Sequence, residues 1–540
     1  KKKKKEMSRS VDLESLEEGL EDFQPSSPVS VTSGTSSSSS WVQDNREGLI
    51  FALCCAVFLG VLFFVGLGLV LSAHPETPLA PPEWSAFRLP GAVVPQSYFI
   101  NFTVDLERLT LRGRETIRVS VLNRTNFIAI HAAANVEITR AFIAPVPVGR
   151  PRVLVDEMYV AQRIEYNATY EHFLLQWAEL ETMTGSDVLL GVDFETALRK
   201  DMRGAYVSTY TEDGRTKTMA MTQFEATDAR GAFPCFDEPQ LKATFQITVR
   251  HNRESCISNM PARKEVKLPD GYKETRFPPT PKMSTYLLAF VVSDFSSVQP
   301  LRKAEFPTRV FARKDVVRQG EYAAFIGSTM LEAYGTLFKR KYALPKLDMV
   351  ASPDFSAGAM ENWGLLTYRE TALLYDDARS STRDRQYVAA VVAHEVAHQW
   401  FGNLVTMKWW NALWLNEGFA SFVEFEGQNA VEPEWNIWSH ALNGLSRALS
   451  LDGLGTTPAV HMLAAEVQTD SQIESRFSAI SYSKGACLLR MLRHHMDSVR
   501  PNSFLDGIAA YIKEHEYGNA DTAELWEALE KLRQDPMWPN

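Results

Sequence analysis

The stretch HEVAHQWFGNLVTMKWWNALWLNEGFASF, His394 to Phe422, decides how this chain is read. It opens with two histidines four positions apart inside a run of helical periodicity. That spacing sets both imidazoles on one helix face, where together they can hold a single Zn²⁺. Glu395 lies beside that face and can reach a water on such an ion. Nineteen positions after His398 comes Glu417, in Trp414-Leu415-Asn416-Glu417-Gly418-Phe419-Ala420, within a second helical run. Two histidines and a downstream glutamate leave one position of a tetrahedral ion open. A closed structural site would take four ligands, usually cysteines, and none lie nearby. The spacing therefore points to a catalytic metal site.

Working outward, the segment around this stretch is helical from about Val310, with runs over Glu321–Phe338, Asp384–Phe401, Ala412–Glu426 and Tyr482–Met496 and a few strands between Lys346 and Tyr368. Upstream, from Phe87 to Phe295, the period is two. Tyr98, Ile100, Phe102 and Val104 alternate with Phe99, Asn101 and Thr103, and Leu268-Pro269-Asp270-Gly271 is a turn between such runs. This predicts a sandwich-like β domain over 87–295 followed by a mainly α domain over 296–540.

Further upstream, Gly48 to Ala73 is a run of 26 residues without a charge. It is long enough to span a bilayer as a helix and too long for the apolar region of a cleaved signal. It reads as a transmembrane signal-anchor over 48–73, preceded by a disordered cytoplasmic tail over 1–47 and followed by a proline-rich stalk over 74–86. The five leading lysines precede the first methionine, Met7, and are given no function. Sequons at Asn101, Asn123 and Asn167 all follow the apolar run, which favours glycosylation of an extracellular body and a single-pass type II protein of the plasma membrane. The 540 residues carry a net charge of −10, so no nucleic-acid partner is expected. Five cysteines are too few for a disulfide scaffold, and Cys235, Cys256 and Cys487 are expected as buried thiols.

Four blocks occur in order: Thr222-Gln223-Phe224-Glu225-Ala226-Thr227-Asp228-Ala229-Arg230 with Phe233 to Pro239, then Gly358-Ala359-Met360-Glu361-Asn362, the opening stretch, and Ala479-Ile480-Ser481-Tyr482-Ser483-Lys484-Gly485. Together they resemble the gluzincin zinc aminopeptidases, the family of the membrane alanyl aminopeptidases (aminopeptidase N-like). The likeness runs from about residue 88 to the end. It implies a thermolysin-like catalytic domain with one Zn²⁺ on His394, His398 and Glu417, Glu395 as general base and Tyr482 as donor to the oxyanion. It also implies that Glu361 of the Gly358-Ala359-Met360-Glu361-Asn362 motif and Glu225 bind the free α-amine of a peptide, with Gln223 and Phe477 lining the pocket for its first side chain. Acid-preferring members of the family differ at the position of Gln223, so a neutral N-terminal residue is expected. Two other readings are weighed: an endopeptidase, disfavoured by Glu225 and Glu361, and a binding protein without activity, disfavoured by the complete residue set. The resemblance implies relatives that continue with a small β domain and a large helical domain, neither of which is expected within these 540 residues. The resemblance therefore implies impaired turnover here, and a homodimer only in a full-length form.

Overall fold

The computed structural model describes residues 86–146, 158–453 and 467–533. The expected tail and anchor, and all but the last residue of the stalk, lie outside the described residues. Among the described residues no helix is long and apolar enough to cross a membrane.

The period-two segment folds as strands. Its main sheet has eight, with Val93–Asp105 inside it, antiparallel to Thr110–Val121 and parallel to Thr244–His251. The alternation turns into burial as anticipated. Ile117, Val119 and Val121 lie inside, while Arg118, pointing the other way, pairs with Asp187 on the neighbouring strand. Tyr98 stacks on Phe245 with ring centroids 4.6 Å apart, so cross-strand aromatics lock the parallel pair. The Leu268–Gly271 turn joins Lys264–Lys267 to Lys273–Arg276, and Gly271 sits at φ +85°, where a side chain would be strained. Of the sequon asparagines, Asn101 is half-buried in a strand, Asn123 is exposed, and Asn167 is half-buried with its Oδ1 accepting from the Thr169 amide.

Two smaller sheets aim the chain at the site. A four-stranded sheet ends its strand Arg215–Gln223 just before Glu225. A five-stranded sheet carries Ala359–Met360 as its edge strand, one residue before Glu361. The helices that follow are α1 (Glu321–Leu337), α2 (Thr382–Ala397), α3 (Trp414–Val431), α4 (Ala441–Asp452), α5 (Asp470–Glu474), α6 (Gly485–Val499), α7 (Ser503–His515) and α8 (Thr522–Arg533). α2 begins with a capping box, in which Ser381 Oγ accepts from the Asp384 amide and the Asp384 carboxylate from that of Ser381.

Two expectations need correction. α2 stops at Ala397, so His398 is its C-cap rather than an interior residue, still with helical torsions that preserve the one-face spacing. Cys235 and Cys256 are buried thiols, but Cys487 is only half-buried, because its side of α6 faces an open cavity. The β segment and the helical segment share one hydrophobic core. Buried Lys242 crosses between them, its Nζ donating to the carbonyls of Asn403 and Leu404, 3.2 and 3.4 Å away.

Candidate active site

The ends of α2 and α3 bring the two histidines and the glutamate together. His394 Nε2 and His398 Nε2 are 3.1 Å apart, and Glu417 Oε2 lies 3.3 and 3.4 Å from them. A tetrahedral zinc ion with bonds of about 2.0–2.1 Å requires donor–donor edges of roughly 3.3 Å. The triangle matches that face, so the donor set fits zinc in both chemistry and spacing.

The outer ring nitrogens fix the tautomers. His398 Nδ1 lies 2.8 Å from the carbonyl of Phe401, which can only accept, so the hydrogen sits on Nδ1 and the Nε2 lone pair faces the centre. His394 Nδ1 lies 3.2 Å from Glu424 Oε2 and is oriented in the same way. Glu424 was not anticipated from the sequence. Its signal is its place seven residues after Glu417, two turns along the same face of α3. Gln399 and Asn403 were also missed. Their side-chain amides donate to the backbone carbonyl of Glu361 at 3.3 and 2.8 Å and tie its motif to the end of α2.

Around the triangle stands a cluster of carboxylates. Oxygens of Glu225, Glu361 and Glu417 lie within 4.8 Å of one another, as do ligand atoms of Glu361, Glu395 and His398. Oε1 of Glu225, Oε1 of Glu361 and Oε2 of Glu395 are buried without hydrogen-bond partners. Burial, then the neighbouring Glu361, pushes the Glu225 carboxyl well above its ordinary range. Burial also raises Glu395 to about 8, against the opposing pull of both imidazoles. Burial alone would raise Glu417 as well, but the histidines hold it down at about 2. Conversely, burial would keep His398 neutral, and Glu361 and Glu417 shift it up to about 9. Protons on the imidazoles thus supply the positive charge that the carboxylates attract, a role that a metal cation would take over.

The carboxylates open onto a cavity of about 1050 Å³. Tyr482, in a π-helical turn over Ile480–Lys484, lines it with its ring stacked 5.9 Å from that of His394. Gln223, Gly358, Ala359 and half-buried Phe477 also line it. Two residues of the Gly358–Asn362 motif, which as a whole was expected at the substrate site, lie behind the wall. Met360 is buried with its sulfur 3.3 Å from Gln223 Nε2, and Asn362 is buried with Nδ2 donating to Thr367 Oγ1 at 3.1 Å. For Met360 the pleat of the edge strand explains this, since neighbouring residues face opposite sides; Asn362 lies beyond the end of that strand.

Comparison with known proteins agrees with this geometry. The model of the Peptidase M1 N-terminal domain matches residues 94–287, and that of the Peptidase family M1 domain matches residues 322–537. Glutamyl aminopeptidase of Rattus norvegicus is 41% identical over 458 residues, which are 84% of this chain and 47% of that protein. Aminopeptidase M1 of Arabidopsis thaliana is 41% identical over 83% of this chain and 50% of its own length. Endoplasmic reticulum aminopeptidase 1 of Rattus norvegicus is 40% identical over 83% and 47%. The chain spans about half the length of these curated relatives.

Proposed function

The chain belongs to peptidase family M1, and from that premise we propose that it is a zinc aminopeptidase that hydrolyses the N-terminal residue from peptides. One observation carries the reading: the paired carboxylates of Glu225 and Glu361 beside the His394–His398–Glu417 triangle. A free α-amine is largely cationic near neutral pH and can satisfy both orphaned oxygens by charge-assisted hydrogen bonds. An internal peptide nitrogen is neutral and would leave them buried and unpaired, which is costly. The same feature disfavours an endopeptidase.

His394, His398 and Glu417 would hold the zinc, which when bound polarises the scissile carbonyl and acidifies the attacking water. Glu395 takes the water's proton on its unpartnered Oε2 and passes it to the leaving amine. Tyr482, whose hydroxyl burial keeps protonated, donates to the oxyanion of the tetrahedral intermediate. Gln223 presents a neutral amide to the first side-chain pocket and supports a preference for Ala, Leu or Met over Glu or Asp.

The apolar run over 48–73 and the sequons beyond it support type II anchoring in the plasma membrane, with the site outside the cell. The test is hydrolysis of alanine-, leucine- and glutamate-anilides with and without a chelator. The reading expects chelator-sensitive release that favours alanine and leucine. Cleavage of internal peptide bonds with all three anilides untouched would remove it. Preference for the glutamate anilide would overturn only the assignment of Gln223.

A further inference from the structure

The cavity reaches well past the carboxylate cluster, and its far wall carries the opposite charge. α3 and α6 run side by side away from the triangle. A Cβ on Gly418 would lie 3.0 Å from Gly485 Cα, and further along Arg493 stands over Phe422 and pairs with Glu426. Eight residues separate Glu417 from Phe425 and Tyr482 from Arg490, which is about 12 Å of helix. Trp438 stands at that depth, its ring 5.2 Å from that of Phe425. The Arg490 guanidinium lies over the same indole, 5.3 Å from its centroid. Arg490, Trp438 and Phe425 all line the cavity. Among the described residues Arg490 has no carboxylate partner, whereas Arg493, one turn on, has Glu426 and Asp497.

A planar guanidinium steadied on an indole and free of an internal anion is suited to bind a carboxylate. An extended peptide advances about 3.3 Å per residue, so 12 Å corresponds to three or four residues. We propose that Arg490, held on Trp438, is a downstream subsite for a carboxylate at the third or fourth residue of a peptide whose N-terminus sits between Glu225 and Glu361. The carboxylate is either the chain end of a short peptide or an acidic side chain. This rests on the aminopeptidase reading for the position of the N-terminus.

The test measures equilibrium binding of Ala-Ala-Ala-Ala as free acid, of its C-terminal amide, and of Ala-Ala-Ala-Asp amide, with alanine release followed in the same samples. The free acid is expected to bind roughly three- to tenfold more tightly than the amide. Arg490→Gln brings that ratio to about one, while Arg490→Lys, which keeps the charge, retains part of it. A gain shared by the aspartyl amide assigns the subsite to any carboxylate at that depth, and a gain confined to the free acid assigns it to the chain end. A ratio near one in the unaltered protein, or one that Arg490→Gln leaves intact, overturns the subsite. Cleavage without discrimination removes the subsite and leaves the aminopeptidase reading standing; discrimination without cleavage keeps Arg490 as a carboxylate-binding group but removes the aminopeptidase reading and, with it, the counting of residues from an N-terminus at Glu225 and Glu361.

Discussion

At His394 the two ring nitrogens serve different partners, Nε2 facing Glu417 and Nδ1 facing Glu424. The outer contact sets which nitrogen carries the hydrogen. Glu424→Gln is therefore expected to weaken zinc binding by about 10- to 100-fold, measured by chelator competition. Unchanged affinity would mean that Glu424 does not orient the ring. At Glu361 the argument concerns charge. Glu361→Gln preserves shape but removes one anionic acceptor, so kcat/KM should fall by one to two orders of magnitude with zinc content intact. A loss of zinc in that variant would instead assign Glu361 to metal binding. At this scale the histidine pair was legible from helix period and Glu417 from its place in a second helical run, whereas Glu225, Glu361 and Tyr482 rested on the resemblance. Glu424, Gln399 and Asn403 were less legible, because they act on other residues and only the folded geometry shows which. Asn362 could not be told from its neighbours in a motif read as a unit, whereas buried Met360 packs beside Gln223, as an apolar side chain next to the pocket would.

Among the elements, the contact between α3 and the π-turn before α6 positions Tyr482. Gly418 makes that approach possible, since a Cβ there would meet Gly485 Cα at 3.0 Å and the Ser481 carbonyl at 3.1 Å, both backbone atoms. Gly418→Ala should push the Ile480–Lys484 turn away from Glu417. The expected result is a lower kcat with zinc content retained, and a loss of roughly 1–3 kcal/mol in urea unfolding. A variant with unaltered kcat would show that the turn tolerates the shift. Strand period and helix period separated the two halves of the chain correctly, with Ile117, Val119 and Val121 inside as anticipated. The end of α2 was placed too late because apolar residues continue through Trp400 and Phe401. These two fold back onto Phe338, with ring centroids 5.6 and 5.1 Å away, rather than extending the helix. Periodicity could not reveal that tertiary preference.

Across the whole molecule, Lys242 couples the β segment to the chain just beyond His398. Burial lowers its ammonium from an ordinary 10.5 to about 7. Between those values the folded side chain is neutral while the unfolded one still binds a proton, so stability rises with pH through this window and is lost as pH falls toward 7. The urea midpoint of the unaltered protein, measured against Lys242→Met, should therefore shift upward between pH 7 and pH 9.5. An equal offset at both pH values would contradict a neutral buried amine. Such a crossing contact could not be read from the sequence, where Lys242 looks like any surface lysine.

The central claim is that the carboxylates of Glu225 and Glu361 make the site read a free chain end. It is tested most directly by offering one zinc-loaded protein the same short peptide with a free and with an acetylated N-terminus and identifying the products. The account predicts stepwise loss of N-terminal residues from the free peptide, abolished by chelator, and no cleavage of the acetylated one. Cleavage of the acetylated peptide at a comparable rate, or products cut at internal bonds, would contradict it.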